Sequence, residues 1–197
     1  MFFRALVLVL SVVAFSAPAS AVTFGFHCIT NNSASNCAIG EAQMTVELLT
    51  NGNLVFRNVG STDSSIMYLA WEGDSIIFAG VETPLGSVTM NFLNGAVLPG
   101  ADSLSPPFAP NDGAVADSLA AGINPGETLL LLLIPNTNEA FIQGVLDGTY
   151  RIGIEVQGFA GGGSESFINN IVPIPEPGSA ALVAMGLVML ARRRRSA

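Results

Sequence analysis

Met44-Thr45-Val46-Glu47-Leu48-Leu49-Thr50-Asn51-Gly52-Asn53-Leu54-Val55-Phe56-Arg57-Asn58-Val59 is the stretch on which the fold turns. Two runs with strand character, Met44 to Leu49 and Asn53 to Val59, flank Asn51-Gly52, a strong hairpin dipeptide. The rhythm continues outward. Ser65 to Glu72 and Ser75 to Val81 flank Gly73-Asp74, read as a second turn. Ser87 to Leu93 reads as a strand ended by Asn94-Gly95. Thr128 to Ile134 is a continuous apolar run, short enough for a buried strand and stopped by Pro135. Tyr150, Ile152, Ile154 and Val156 alternate with Arg151, Gly153, Glu155 and Gln157, the period of a half-buried strand. Ser166 to Asn169 adds a last short strand. One helix is expected from Glu139 to Leu146, where Phe141, Ile142, Val145 and Leu146 share a face and Gly148 follows. Gly95 to Gly126, holding Pro99, Pro106, Pro107, Pro110 and Pro125, reads as a long connection without a strand. The sum predicts an all-β fold: an antiparallel β-sandwich or jelly-roll-like domain with one short helix, over residues 22–172.

Around that body lie two ends of different character. The chain has 197 residues, of which 50% are hydrophobic and 11% charged, with a formal charge of −8 and a mean hydropathy of +0.54. The acidity argues against a nucleic-acid partner, which needs a basic face. The apolar fraction argues against intrinsic disorder. A positive start at Met1 to Arg4, an apolar run from Ala5 to Phe15 and the small-residue site Ala19-x-Ala21 describe a signal peptide over residues 1–21. At the other end, Gly178 to Ala191 is apolar apart from Ser179. As a helix it spans ~21 Å against a bilayer core of ~30 Å, a marginal transmembrane span that local thinning and arginine snorkelling accommodate. Arg192, Arg193, Arg194 and Arg195 follow as a stop-transfer block that stays cytoplasmic. The body between these ends holds Arg57 and Arg151 against fourteen acids, a formal charge of −12.

Cys28 and Cys37 are the two cysteines. In an exported chain a disulfide is the expectation; in the chain-entropy model so small a ring contributes roughly 2–3 kcal/mol. It would pin the polar loop Thr30 to Asn36. A metal or redox pair is the alternative, with spacing that matches no four-ligand set. His27 is the lone histidine, so a Ser-His-Asp set would have to use it. A Cys28–His27 nucleophile pair is disfavoured because adjacent strand residues point to opposite faces. No enzyme and no cofactor is expected. Gly161-Gly162-Gly163 lacks the setting of a nucleotide loop and reads as a turn. Trp71 fits core packing better than sugar stacking. Asp102, Asp112 and Asp117 in the long connection are candidate calcium ligands, since acidic extracellular modules bind calcium through carboxylates, which gives a calcium-dependent carbohydrate-binding module as the alternative function.

Pro175-Glu176-Pro177, the apolar stretch and the terminal arginine cluster together resemble the PEP-CTERM sorting signal, over residues 173–197. Gly122-Ile123-Asn124-Pro125-Gly126-Glu127 and Arg151 to Phe159 are similar to segments common in the exported bodies of that family. The resemblance implies an exported protein of a Gram-negative bacterium that makes exopolysaccharide. It implies recognition of Pro175, Glu176 and Pro177 by an exosortase, a membrane-embedded, cysteine-dependent processing enzyme, and delivery to the cell surface or matrix. Signal peptidase, the export machinery, the inner membrane and exopolysaccharide are the partners that go with it. The two prolines also favour an extended, polyproline-like segment, a suitable handle for a peptide-binding groove.

Overall fold

In the expected hairpin Leu48 faces Leu54, and the loop between holds one residue more than the tightest turn needs. Gly52 donates to the Leu49 carbonyl at 2.9 Å and Leu49 to the Asn53 carbonyl at 2.9 Å. Gly52 alone in this loop has positive φ, at 82°. A two-residue type I′ turn requires positive φ at both central residues; this is the three-residue loop with glycine in the left-handed position. The computed structural model describes residues 21–73, 78–133 and 138–172. Residues 1–20 of the signal peptide expected over 1–21, the Pro175-Glu176-Pro177 motif, the apolar stretch 178–191 and Arg192 to Arg195 lie outside the described residues.

The elements in chain order are β1 (Val22–Cys28), α1 (Ala34–Gln43), β2 (Met44–Leu48), β3 (Leu54–Asn58), β4 (Ser65–Trp71), β5 (Phe78–Leu85), β6 (Met90–Asn94), β7 (Asp112–Ala116), β8 (Thr128–Leu133), α2 (Asn138–Asp147), β9 (Ile152–Gln157) and β10 (Glu165–Asn169). The strands form one antiparallel sheet in the order β5-β8-β3-β2-β1-β10-β9-β4-β7-β6. β1 is the corner. Its first half, Val22 to Gly25, pairs with β2, and its second half, Phe26 to Cys28, pairs with β10. One strand thus serves two half-sheets, which fold over a shared core in a near-barrel. Phe24, Phe56, Leu129 and Leu131 from one half meet Ile66, Leu69, Trp71, Ile154 and Phe167 from the other in a single cluster. Phe141 and Val145 of α2 join the same cluster, and the Phe141 and Tyr150 rings stack at 6.4 Å.

Four expectations need correction. Gly73-Asp74 does not turn a hairpin: β4 has both edges taken, by β9 and β7, whereas β5 lies beside β8 in the other half-sheet. The long connection is not strandless, since β7 lies within it, paired on both sides. A second helix, α1, starts at Ala34 near the end of the expected polar loop Thr30 to Asn36 and runs on to Gln43, where one helix in all was expected. β1 and β7 are strands that the turn rhythm alone did not mark.

The part of the long connection before β7 packs on the outer face of the sheet. Leu98, Ala101 and Phe108 are buried against Ala70 and Ile168 there. Gly153 makes this possible. A Cβ at that position would stand 2.7 Å from Leu98 and 2.9 Å from Phe108, closer than carbon atoms pack. Arg151 fastens the segment. Its guanidinium donates to both Glu72 carboxylate oxygens at 2.9 and 2.7 Å, and to the carbonyls of Pro106 and Pro107 at 2.8 and 2.6 Å. It also lies 5.4 Å over the Phe108 ring, a cation–π arrangement. The pair is only 15% and 12% exposed, so geometry and multiple donors must offset desolvation.

Candidate functional site

Cys28 ends β1 and Cys37 lies on α1; they form a disulfide with Cα atoms 5.4 Å apart. The bond therefore ties a strand to a helix. Beside it sits Glu165 of β10, 1% exposed. Its Oε2 accepts from the Thr30 hydroxyl at 2.6 Å and the Asn32 N–H at 2.9 Å. Its Oε1 accepts from the Ser33 N–H at 2.6 Å. Ser33 is the N-cap residue of α1, with no cap from its own side chain. Glu165 supplies from across the sheet what the third helical residue supplies in a capping box. The two sulfurs and the Glu165 carboxylate lie within 4.8 Å of one another. Metal ligation requires thiolates, and here both sulfurs are joined to each other.

The three aspartates considered for calcium do not converge. Asp102 is exposed on a short 3-10 turn, Ala101–Ser103. Asp112 opens β7 and Asp117 follows its end. At about 3.3 Å per residue these two are roughly 16 Å apart along the strand. Burial pushes the Asp112 carboxyl above its usual range. Asp117 accepts from the Asn91 amide at 3.0 Å. Trp71 is fully buried in the core. Gly161-Gly162-Gly163 forms the β9–β10 turn, with Gly162 donating to the Phe159 carbonyl at 2.7 Å.

The segment Gly122 to Glu127 proves to be a structural latch. Asn124-Pro125-Gly126-Glu127 is a type II turn: Glu127 donates to the Asn124 carbonyl at 2.9 Å and Gly126 has φ of 83°, as that turn demands. The Glu127 carboxylate accepts from the Asn124 N–H at 2.9 Å and the Ser87 N–H at 3.1 Å. Partial burial raises its pKa; the Asn124 and Ser87 hydrogen bonds outweigh that, and the net shift is downward. Ile123 bridges Ile66 of β4, and Gly126 donates to the Asn58 carbonyl of β3 at 2.8 Å. This one turn joins β3, β4 and the approach to β6.

Among the described residues, two surface cavities lie beside these features. The smaller, about 180 Å³, lies beside the latch and includes Asp63, Ser65, Asn124 and Pro125. The larger, about 400 Å³, brings together His27, Thr149, Arg151 and Asn169 with Leu104, Pro106, Ile168 and Ile171. His27 is exposed and its Nδ1 lies 3.2 Å from the Asn170 amide oxygen. Among the described residues no helix is long and apolar enough to cross a membrane.

These features define a mostly antiparallel β domain with two helices, a disulfide, a cap-supplying buried carboxylate and, among the described residues, a cavity of mixed lining. Set beside protein-family models, curated proteins and solved structures, the chain matches none.

Proposed function

We propose that this chain is an exported, non-enzymatic structural or interaction protein of the cell surface or an exopolysaccharide matrix, sorted through Pro175-Glu176-Pro177, the apolar stretch and the arginine block. The body acts as the cargo domain, in the sandwich-like class of two-layered β folds. The observation that best supports export is the Cys28–Cys37 disulfide, which persists in oxidising compartments. It accords with a signal-peptide pattern in front and a stop-transfer pattern behind. His27 has an asparagine as its hydrogen-bond partner in place of the carboxylate or nucleophile of a hydrolytic set, which favours a non-catalytic reading. The calcium-dependent sugar-binding alternative gains nothing from the separation of Asp112 and Asp117.

The sorting step is tested by replacing Glu176 with Ala. The expected outcome is a full-length, membrane-retained form, where the unaltered protein yields surface material that lacks Arg192 to Arg195 by intact-mass spectrometry. If the unaltered surface product keeps those arginines, the processing reading fails.

A further inference from the structure

Three side chains with metal-binding atoms meet at one point of the fold. The sulfurs of Cys28 and Cys37 and a Glu165 carboxylate oxygen lie within 4.8 Å of one another. No other such group of cysteines, histidines or acids occurs among the described residues. Cys28 Sγ stands 3.6 Å from Glu165 Oε2. A disulfide sulfur has no proton to donate, so this approach is no hydrogen bond while the bond is intact. The separation fits a different chemistry. With Zn–S of about 2.3 Å and Zn–O of about 2.0 Å, a sulfur and an oxygen on one tetrahedral zinc ion stand roughly 3.5 Å apart. Cys28 and Glu165 are thus spaced as two ligands of one ion.

We propose that reduction of the Cys28–Cys37 disulfide opens a zinc site formed by both thiolates and Glu165, with water in the fourth position. The reductant is a dithiol. Its thiolate attacks Cys28 Sγ, the half-buried sulfur of the pair; the Cys28–Cys37 bond breaks and a mixed disulfide forms. The second thiol of the reductant attacks that mixed disulfide, frees Cys28 and leaves the reductant as an internal disulfide. Two electrons and two protons have then passed to the chain. Zinc displaces both thiol protons to solvent. The sulfurs part to roughly 3.8 Å, the tetrahedral spacing, by rotation of the two cysteine side chains. Glu165 needs no rearrangement. Thr30, Asn32 and Ser33 hold its carboxylate, the outer support that orients a ligating group. Two thiolates and a carboxylate select zinc over calcium and magnesium, which take oxygen ligands. The fourteen acids of the body against two arginines favour the approach of a cation. Either link, disulfide or zinc, ties α1 to β1.

The test uses the full-length chain in mild detergent, reduced by a phosphine without oxygen, and cobalt(II) as a coloured stand-in for zinc. The expected result is thiolate-to-cobalt charge transfer in the near ultraviolet with the visible bands of a tetrahedral ion, saturating at one cobalt per chain. Zinc bleaches these bands, and the oxidised chain shows none. Zinc also raises the thermal midpoint of the reduced chain and leaves that of the oxidised chain unmoved. Glu165→Gln weakens cobalt binding by about a hundredfold or more, since loss of outer support alone costs about ten- to a hundredfold. That variant also loses the cap of α1, so zinc-edge X-ray absorption on the unaltered reduced chain counts the ligands directly. Two sulfurs at about 2.3 Å and two lighter atoms at about 2.0 Å are expected. Four sulfurs, from an ion bridging two chains, overturn the proposal. So do absent cobalt bands in the reduced chain, equal bands in the oxidised chain, unchanged affinity in Glu165→Gln, or a reduced chain that zinc fails to stabilise. None of these readouts depends on the sorting reading.

Discussion

Single residues in this protein carry distant assignments. Gly153 falls at an outward position of β9 in a strict alternation, where sequence periodicity expects solvent. The position is instead covered by Leu98 and Phe108, and the absence of a side chain is what admits them. Gly153→Ala forces that segment outward, and we expect a loss of about 1–3 kcal/mol by chemical denaturation, the usual penalty for overpacking. A neutral result would mean that the segment yields freely. Glu165 is the second case. Its carboxylate satisfies three donors from the Thr30–Ser33 stretch while almost fully buried. Glu165→Ala strands those donors, and we expect a loss of roughly 3 kcal/mol or more; Glu139→Ala, at an exposed site on α2, should stay within about 0.5 kcal/mol. Equal effects would show that Glu165 is no cap. Nothing local marks this residue: it reads as one more acid in an acidic body until β10 is laid beside β1.

At the scale of elements, the legible ones are those with local signals. β2, β3 and their turn, the alternating β9 and the amphipathic α2 follow the periodicities of their own residues. β1 had such a signal as well, since Phe24 and Phe26 alternate with Thr23, Gly25 and His27, but in sequence it follows directly on the signal-peptide pattern of residues 1–21. α1 and β7 lacked one. α1, with Asn36, Gly40 and little amphipathic contrast, depends on Glu165 and the disulfide. β7, with the small residues Gly113, Ala114 and Ala116, exists because β4 and β6 supply partners on both sides. The Asn124–Glu127 latch has a measurable pH signature. Because the folded-state pKa of Glu127 is lowered, its contribution is fully present above the ordinary glutamate range, near pH 4–5. It is lost as pH falls through the depressed value. Asp112 is raised by burial, so its ionisation opposes folding and its effect runs the other way. We expect Glu127→Gln to flatten the fall in stability between about pH 5 and pH 3; an unchanged slope in urea titrations at several pH values would refute this.

For the whole molecule, the two half-sheets share one core, and the only tryptophan, Trp71, lies inside it. We expect cooperative unfolding, with Trp71 fluorescence and far-ultraviolet circular dichroism giving coincident transitions in the disulfide-bonded protein. Separate transitions would mean that the halves unfold independently. By itself, the sequence determined the strand-rich class, the β2–β3 hairpin, the identity of the two cysteines that pair and the segregation of charge into an acidic body with basic ends. These follow from local periodicity, turn chemistry and composition, which act over a few residues. Only the tertiary structure decided that β1 splits between two half-sheets, that the proline-rich connection packs on the sheet over Gly153, that Glu165 caps α1 and that His27 and Arg151 share a cavity. Each of those depends on contacts between residues far apart in the chain, whose free energy is set by burial and by partner geometry.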